Sequence, residues 1–232
     1  MQVKDKILLT GSHDEVLAPE RTVKKVHISK KPIYHFLKRT LDIIFSIFGL
    51  IVCAIPMVII IALIRIGSPG NPIYIHNRIG KNGKALPLLK FRTMYIDAED
   101  MIENFTPEQK TEWQKNFKLD NDPRITRFGK FLRKSSLDEL PQLVNILKGE
   151  LSIVGPRPVV AEELERYGEN KDVFLSVTPG LTGYWQAYAR STCTYEKRME
   201  MELTYAEKAN LCWDIKIMFA TVGAVFRGHG AK

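Results

Sequence analysis

The sequence has few of the residues that build disulfide frameworks or metal centres. Its three cysteines are odd in number and far apart in the chain, at positions 53, 193 and 212. Its five histidines form no H-E-x-x-H motif and no pair spaced one helical turn apart. The sequence therefore gives no sign of a disulfide framework or a zinc site, and a reducing compartment fits it best.

The sequence also lacks a cleaved signal peptide, internal repeats and low-complexity segments. Its first residues are too polar, and its first apolar segment comes too late, for a secretory leader. What it has in excess is positive charge, with a net charge of +8 and a pI near 9.3. This charge predicts an anionic partner, which could be nucleic acid, phospholipid headgroups or a phosphorylated substrate.

One segment, residues 43–64, contains no ionisable side chain except the Cys53 thiol. As a helix it would extend about 33 Å, enough to cross the hydrocarbon core of a bilayer. Pro56 lies past its middle and would interrupt its hydrogen bonding. Cationic residues flank both ends, so the positive-inside rule gives no orientation. Two structures are open: a re-entrant helix-break-helix with both ends on the cytoplasmic side, and a kinked span.

The remaining pattern predicts an α+β fold that is mainly helical, with interfacial amphipathic helices. Three regions are expected: a basic arm (residues 1–35), a membrane-embedded helix (36–66) and a cytoplasmic catalytic domain (67–232). Residues 73–75 and 86–91 are predicted strands around a turn at 80–83. Thr93 is a predicted helix cap, and residues 178–180 are a candidate type II turn. The tail from about residue 195 to 226 is predicted to be helical, with a broad apolar face.

Residues 122–134 combine an apolar face with a basic one. Such a helix could lie on an anionic membrane surface, hold a pyrophosphate, or pack on the core with a solvated basic face. The apolar positions are Ile125, Phe128 and Leu132, and the basic positions are Arg127, Lys130 and Lys134.

The stretch 133–143 places two adjacent carboxylates, Asp138 and Glu139, just before a predicted helix. Pro141 is expected to be the first residue of that helix, because the residue before a proline is disfavoured in the helical region. A helix start attracts carboxylates and phosphates alike. The same letters also fit a capping box from Ser136 to Glu139, and on this stretch alone capping is favoured.

Two downstream segments have the composition of ligand-binding loops. In residues 155–158 two prolines fix the backbone around Arg157, which suits oxyanion binding, although a structural turn is an equal alternative in isolation. Residues 183–190 are polar and aromatic, a composition that suits a base or a sugar.

Taken in order, five motifs resemble those of a known family. The chain is similar, over roughly residues 36–225, to the bacterial sugar transferases, the monotopic polyprenyl-phosphate phosphoglycosyl transferases, and it looks like their short form. The motifs are residues 90–94, 122–126, 133–143, 152–158 and 179–183.

The resemblance implies transfer of a sugar-1-phosphate from a UDP-sugar to undecaprenyl phosphate, with release of UMP, as the first membrane step of glycan assembly. Asp138 would attack and form an aspartyl phosphosugar intermediate, and both Asp138 and Glu139 would bind Mg²⁺. The resemblance also favours re-entry at Pro56 over spanning. The implied substrate-binding residues are Lys90, Arg92, Arg133, Arg157, Gln186 and Arg190.

The same resemblance predicts where the protein works and with what. It would sit in the bacterial inner membrane with its catalytic domain on the cytoplasmic face. Its partners would be the UDP-sugar, undecaprenyl phosphate, anionic lipids and downstream glycosyltransferases, with no nucleic acid. The competing interpretation is a membrane-anchored scaffold of the same fold without turnover, in which the carboxylates only cap. The sequence does not identify the sugar.

Overall fold

The computed structural model describes residues 31–116, 119, 121–189 and 193–226. Most of the predicted basic arm (residues 1–35) and all of Arg190 lie outside these residues. The described part is mainly helical with two small sheets, as predicted. Its helices are α1 (Pro32–Gly67), α2 (Pro107–Asn116), α3 (Arg127–Ser135), α4 (Gln142–Lys148), α5 (Ala161–Glu165), α6 (Lys171–Leu175), α7 (Tyr184–Tyr188), α8 (Tyr195–Lys208) and α9 (Leu211–Phe226). Its strands are β1 (Ile73–Ile79), β2 (Ala85–Phe91), β3 (Ser152–Val154) and β4 (Gly180–Thr182).

The apolar segment forms α1, whose 36 residues make a helix about 54 Å long. It starts with Pro32, whose fixed φ suits a first helical turn. It continues through Pro56 without interruption, so the expected break is not seen within Pro32–Gly67. An interior proline removes one hydrogen bond, and a helix can continue through it with a kink. Helix α1 is long and apolar enough to cross a membrane, and most of its apolar side chains are exposed.

The first half of α1 is bonded to the rest of the chain through polar groups. The carboxylate of Asp42 accepts hydrogen bonds from the Ser152 hydroxyl (3.0 Å) and the Ile153 backbone N–H (2.9 Å). The Lys38 ammonium donates to the Val154 carbonyl (2.7 Å) and pairs with Asp214 (2.9 Å). These bonds join α1 to β3 and α9.

The second half of α1 is part of the hydrophobic core. Ile60 and Ile64 pack with Phe91 of β2 and Leu132 of α3, and all four are buried. The Arg92 guanidinium donates to the backbone carbonyls of Ser68 and Pro69 at 2.5 and 2.9 Å. Both halves of α1 therefore contact the domain formed by the residues that follow it.

Strands β1 and β2 form the predicted antiparallel hairpin, with Tyr74 opposite Lys90. The prediction that Thr93 caps a helix is wrong. Its hydroxyl accepts a hydrogen bond from the Arg133 Nε (2.9 Å), and its carbonyl accepts one from the Thr126 N–H (3.0 Å). Thr126 is the residue that caps α3, through the Gly129 N–H (2.8 Å). Tertiary bonds to α3 thus outweigh the local capping preference of Thr93.

Helix α3 has the predicted apolar and basic faces. Leu132 is fully buried, while Arg127, Lys130 and Lys134 are exposed. Phe131, at 55% exposure, lies among these basic residues. An exposed aromatic ring beside lysines is typical of a helix on a lipid surface.

The predicted type II turn at residues 178–180 is wrong. Such a turn requires a positive φ at Gly180, which does not have one; Gly180 begins β4, which pairs in parallel with β3. A Cβ atom on Gly180 would lie 2.0 Å from the backbone nitrogen of Gly155. Glycine is needed here for the close approach of two backbones.

The tail is helical as predicted but consists of two helices. Ala209, with φ −46° and ψ 131°, separates α8 from α9. On α9, Ile217 is fully buried beside Val154 and Tyr205, whereas Phe219 and Val222 are exposed. One face of α9 thus packs on β3 and α8, and another face is exposed.

Candidate active site

The two adjacent carboxylates lie on a tight link between α3 and α4. Ser136 ends α3 in the left-handed region (φ 57°), and a single 3-10 turn, Leu137–Glu139, follows. Helix α4 begins at Gln142, one residue after the predicted start at Pro141. Leu140 keeps helical angles (φ −52°, ψ −38°), against the expectation for a residue before proline. The backbone therefore keeps helical angles from the 3-10 turn through Leu140 and Pro141 into α4.

The capping-box interpretation is wrong, because Ser136 makes no side-chain cap hydrogen bond. The Glu139 carboxylate instead accepts a hydrogen bond from the Lys90 ammonium (2.8 Å) across the gap to β2. The same ammonium lies 4.0 Å from the Asp138 carboxylate. The Lys90 ammonium therefore lies within 4.0 Å of both carboxylates.

Asp138 is nearly buried, with 9% of its surface exposed. Its neighbours Leu137 and Leu140 pack against the core cluster around Phe91, which explains the burial. Burial raises the pKa of the Asp138 carboxyl; the charge of Lys90 lowers it, and that of Glu139 raises it. A poorly solvated carboxylate beside a cation is well suited to act as a nucleophile.

A cleft of about 300 Å³, including its open mouth, lies next to this pair. It brings together four of the predicted site residues from four separate segments: Lys90, Glu139, Arg157 and Gln186. Its other walls are Arg78, Leu88, Gln142, Pro158, Gly180 and Leu181.

Two other predicted residues, Arg133 and Arg92, do not line the cleft, and the position of a third is not described. Arg133 is bonded to Thr93 and is close enough to Asp138 to lower the pKa of that carboxyl. Arg92 is used to hold the end of α1 and does not line the cleft. Arg190 lies outside the described residues.

Arg78 is a cleft residue that the sequence did not reveal. It lies on β1, on the same side as Lys90 once the register of the hairpin is known. Its guanidinium is 3.5 Å from the Glu163 carboxylate. Burial and the charge of Arg157 lower the pKa of Arg78, so the two guanidiniums are near each other. A guanidinium nevertheless stays charged at neutral pH.

Three cationic side chains, Arg78, Lys90 and Arg157, line the cleft. Burial, together with these charges, lowers the pKa of the nearby His76 to about 4. Glu139 pairs with Lys90 and Glu163 with Arg78, so the two carboxylates offset part of the positive charge. This arrangement suits a ligand with several negative charges, such as a diphosphate.

Arg157 is held by a buried carboxylate that the sequence also did not reveal. Glu202 of α8 is 1% exposed; it accepts hydrogen bonds from the Arg157 backbone N–H (3.2 Å) and the Tyr167 hydroxyl, and pairs with Arg198 (3.5 Å). Burial raises the pKa of Glu202. The flanking prolines have no N–H, so this bond fixes the Arg157 backbone directly.

The two adjacent carboxylates have the chemistry of magnesium ligands, and a magnesium ion here stays a prediction. Among the described residues there is no cluster of three or more histidine, cysteine or acidic side chains that could form a complete cage. Mg²⁺ commonly needs only one or two carboxylates when phosphate oxygens and waters supply the other ligands. Asp138 and Glu139 meet that requirement.

The family model for bacterial sugar transferases matches residues 33–228. An undecaprenyl-phosphate galactose phosphotransferase of Salmonella typhimurium is 46% identical over 199 residues, which cover 84% of this chain and 42% of that protein. A UDP-galactose-lipid carrier transferase of Erwinia amylovora is 43% identical over 199 residues, with the same two coverages. The exopolysaccharide production protein ExoY of Rhizobium meliloti is 41% identical over 204 residues, covering 87% of this chain and 90% of that protein. The chain thus spans less than half the length of the first two relatives and most of the third.

Proposed function

Because the chain belongs to the bacterial sugar transferase family, we propose that it transfers a sugar-1-phosphate from a UDP-sugar to undecaprenyl phosphate through a covalent intermediate on Asp138. The observation that carries the proposal is the nearly buried Asp138 beside Lys90 and Glu139, at a cleft that also contains Arg78 and Arg157. A scaffold whose carboxylates only cap would not need this arrangement.

The names of two relatives favour galactose as the transferred sugar. Both the Salmonella and the Erwinia proteins are named for galactose transfer, and they are 46% and 43% identical to this chain. We therefore take UDP-galactose as the first donor to test and UDP-glucose, its C4 epimer, as the second.

In the first step a carboxylate oxygen of Asp138 attacks the phosphorus that bears the sugar. A new bond forms between that oxygen and phosphorus, and the bond from phosphorus to the bridging oxygen breaks. UMP leaves with the electron pair. Lys90, Arg78 and Arg157 bind the diphosphate oxygens and offset the charge that would otherwise repel the carboxylate.

In the second step a phosphate oxygen of undecaprenyl phosphate attacks the same phosphorus. The bond to Asp138 breaks, the carboxylate is restored, and the product is undecaprenyl diphosphate bearing the sugar. Asp138 and Glu139 would hold Mg²⁺, which would supply further neutralisation of phosphate charge. The product would be the substrate of downstream glycosyltransferases.

We propose that α1 enters and leaves on the cytoplasmic face of the inner membrane. The support is that both halves of α1 contact the same domain, whereas a helix that crosses the bilayer has its far end on the other side. Helix α1 is continuous through Pro56, so the proposal rests on these contacts and not on a break at the proline. The exposed Phe131 and the lysines of α3 would contact anionic lipid.

The test of the function is a labelling experiment without acceptor. Purified protein is incubated with Mg²⁺ and UDP-galactose, or UDP-glucose, carrying radiolabel in the sugar. Label on the protein and an equal amount of released UMP are expected. Asp138→Asn should abolish both, whereas the exposed control Asp97→Asn should leave both unchanged. Label that survives in Asp138→Asn would refute the assignment.

A further inference from the structure

Gln142 lines the cleft, and its side-chain amide nitrogen makes no hydrogen bond to the described residues. It is 3% exposed and is the first residue of α4. Its side-chain amide nitrogen is buried and has no hydrogen-bond partner among the described residues. A buried donor without a partner costs about 1–3 kcal/mol. Such a cost is expected where a ligand completes the bond.

Gln142 lies close to the place where the proposed reaction occurs. Gln142 follows Asp138 by four residues, and the intervening Leu140 and Pro141 have helical angles. Glu139, the carboxylate next to Asp138, lines the same cleft as Gln142 three residues later, a spacing at which side chains on a helical turn are neighbours. The group attached to the phosphorus that Asp138 attacks is therefore within reach of Gln142.

The side-chain amide of Gln142 is better matched to a sugar hydroxyl than to a phosphate oxygen. Phosphate oxygens only accept hydrogen bonds, and Arg78, Lys90 and Arg157 already offer them charged donors. A carboxamide both donates and accepts, as a sugar hydroxyl does, so an amide and a hydroxyl can satisfy each other. A neutral amide close to the attacked phosphorus is thus matched to the sugar.

We infer that Gln142 binds a hydroxyl group of the transferred sugar and thereby contributes to the choice of donor; the inference rests on the proposed function. It also predicts that the amide is not needed for folding. Gln142→Met preserves the volume and removes an unpaired donor, so it should leave the melting temperature of the unliganded protein unchanged or raise it.

The binding test uses Asp138→Asn as a background in which no covalent bond forms. Dissociation constants are measured for UDP-galactose, for its 2-, 3-, 4- and 6-deoxy analogues, and for UMP, with and without Gln142→Met. We expect the added substitution to weaken UDP-galactose about tenfold, as the loss of one good hydrogen bond would. UMP should change less than twofold. For one deoxy analogue the effect of Gln142→Met should disappear.

Three results would overturn the inference. An equal loss for UMP would place Gln142 at the nucleotide. An equal loss for all four deoxy analogues would show that no single hydroxyl is recognised. A large fall in melting temperature would show that the amide is a structural group. Failure of the proposed function is seen separately, as absence of label on the protein that retains Asp138.

Discussion

At the scale of single residues, the reactivity of Asp138 depends on two opposing charges. Burial raises the pKa of its carboxyl, Lys90 lowers it and Glu139 raises it further. The attacking form is the ionised carboxylate, so the labelling rate should fall as the pH drops through this raised pKa. The acid limb of the rate profile should therefore lie at a higher pH than that of an ordinary aspartate.

Changing each neighbour should move that limb in a known direction. Lys90→Met removes a charge that lowers the pKa of Asp138, so the limb should move to higher pH. Glu139→Gln removes a charge that raises this pKa, so the limb should move to lower pH. The measurement is the single-turnover labelling rate across a pH series.

The exposed lysine variant Lys84→Met is the control and should not move the limb. Shifts of Lys90→Met and Glu139→Gln in the same direction would show that Asp138 is not the titrating group. Both variants are expected to be slower than the natural protein, which does not affect the position of the limb.

Glu202 positions the Arg157 backbone by accepting a hydrogen bond from its N–H. Glu202→Gln leaves Arg198 without its buried counter-charge and weakens the bond to the Arg157 backbone, so we expect a loss of about 3 kcal/mol in unfolding free energy. The KM for the UDP-sugar should rise more than kcat falls, because Arg157 binds the diphosphate in the ground state as well. Thermal unfolding and steady-state kinetics in detergent measure these effects.

The comparison variant for Glu202 is Glu207→Gln, an exposed change on the same helix. It should alter unfolding free energy by less than about 0.5 kcal/mol. If the two variants are equally stable and have the same KM, Glu202 does not position the loop.

The residues found from sequence are those whose motif is local. Asp138 and Glu139 are adjacent, and Arg157 lies between two prolines. Arg78 carries no local signal, because its place in the cleft depends on the register of the hairpin. Gln142 lies inside the motif 133–143, but its place in the cleft depends on the way α4 packs. Glu202 is one of four glutamates in α8, and only its burial distinguishes it from the other three.

At the scale of elements, the site depends on how closely β3 and β4 approach. Gly155 follows β3, and its N–H donates to the Thr182 carbonyl (2.8 Å), while the Gly180 N–H donates to the Pro156 carbonyl (2.8 Å). These bonds fix the start of residues 155–158, which form the Arg157 loop. The sequence suggested a turn because Pro-Gly is a common turn pair, and nothing local shows that the strand is paired in parallel.

A methyl group on Gly180 should separate the two strands. We expect Gly180→Ala to lower the unfolding free energy by about 3 kcal/mol, because its Cβ would meet backbone atoms that cannot yield. Gly67→Ala is the matched control, since its Cβ meets nothing within 4 Å and alanine is favoured in a helix. It should be neutral or stabilise by up to about 1 kcal/mol.

Denaturant unfolding of the two alanine variants measures the difference. Gly180→Ala should also lose labelling activity, because the Arg157 loop moves with β3. Equal stability of the two variants would mean that the strands can separate at little cost.

At the scale of the whole molecule, the key question is on which side of the membrane the two ends of α1 lie. Ile33 and Ile66 are 75% and 81% exposed, near opposite ends of the helix. In a variant without the three natural cysteines, Ile33→Cys and Ile66→Cys should both react with a membrane-impermeant thiol reagent in inverted vesicles. Neither should react in intact spheroplasts.

Labelling of Ile33→Cys only from the outer face would exclude re-entry. A cysteine at Asp97, an exposed position after α1, marks for comparison the side of the membrane on which the domain that follows α1 lies. The sequence predicted an apolar helix with a proline but could not choose between the two topologies, because its flanking charges are symmetric. Contacts of both halves with one domain are the observation that favours the re-entrant proposal, and the labelling experiment tests it.

The use of Ile60 and Ile64 as core residues has a consequence for how this protein can be made and folded. The surfaces of Phe91 and Leu132 that these isoleucines cover would be bare in a chain cut after α1. Removal of α1 would therefore expose Phe91 and Leu132 to solvent, and we expect the remaining chain to aggregate. Folding of the residues that follow α1 is then coupled to the presence of α1.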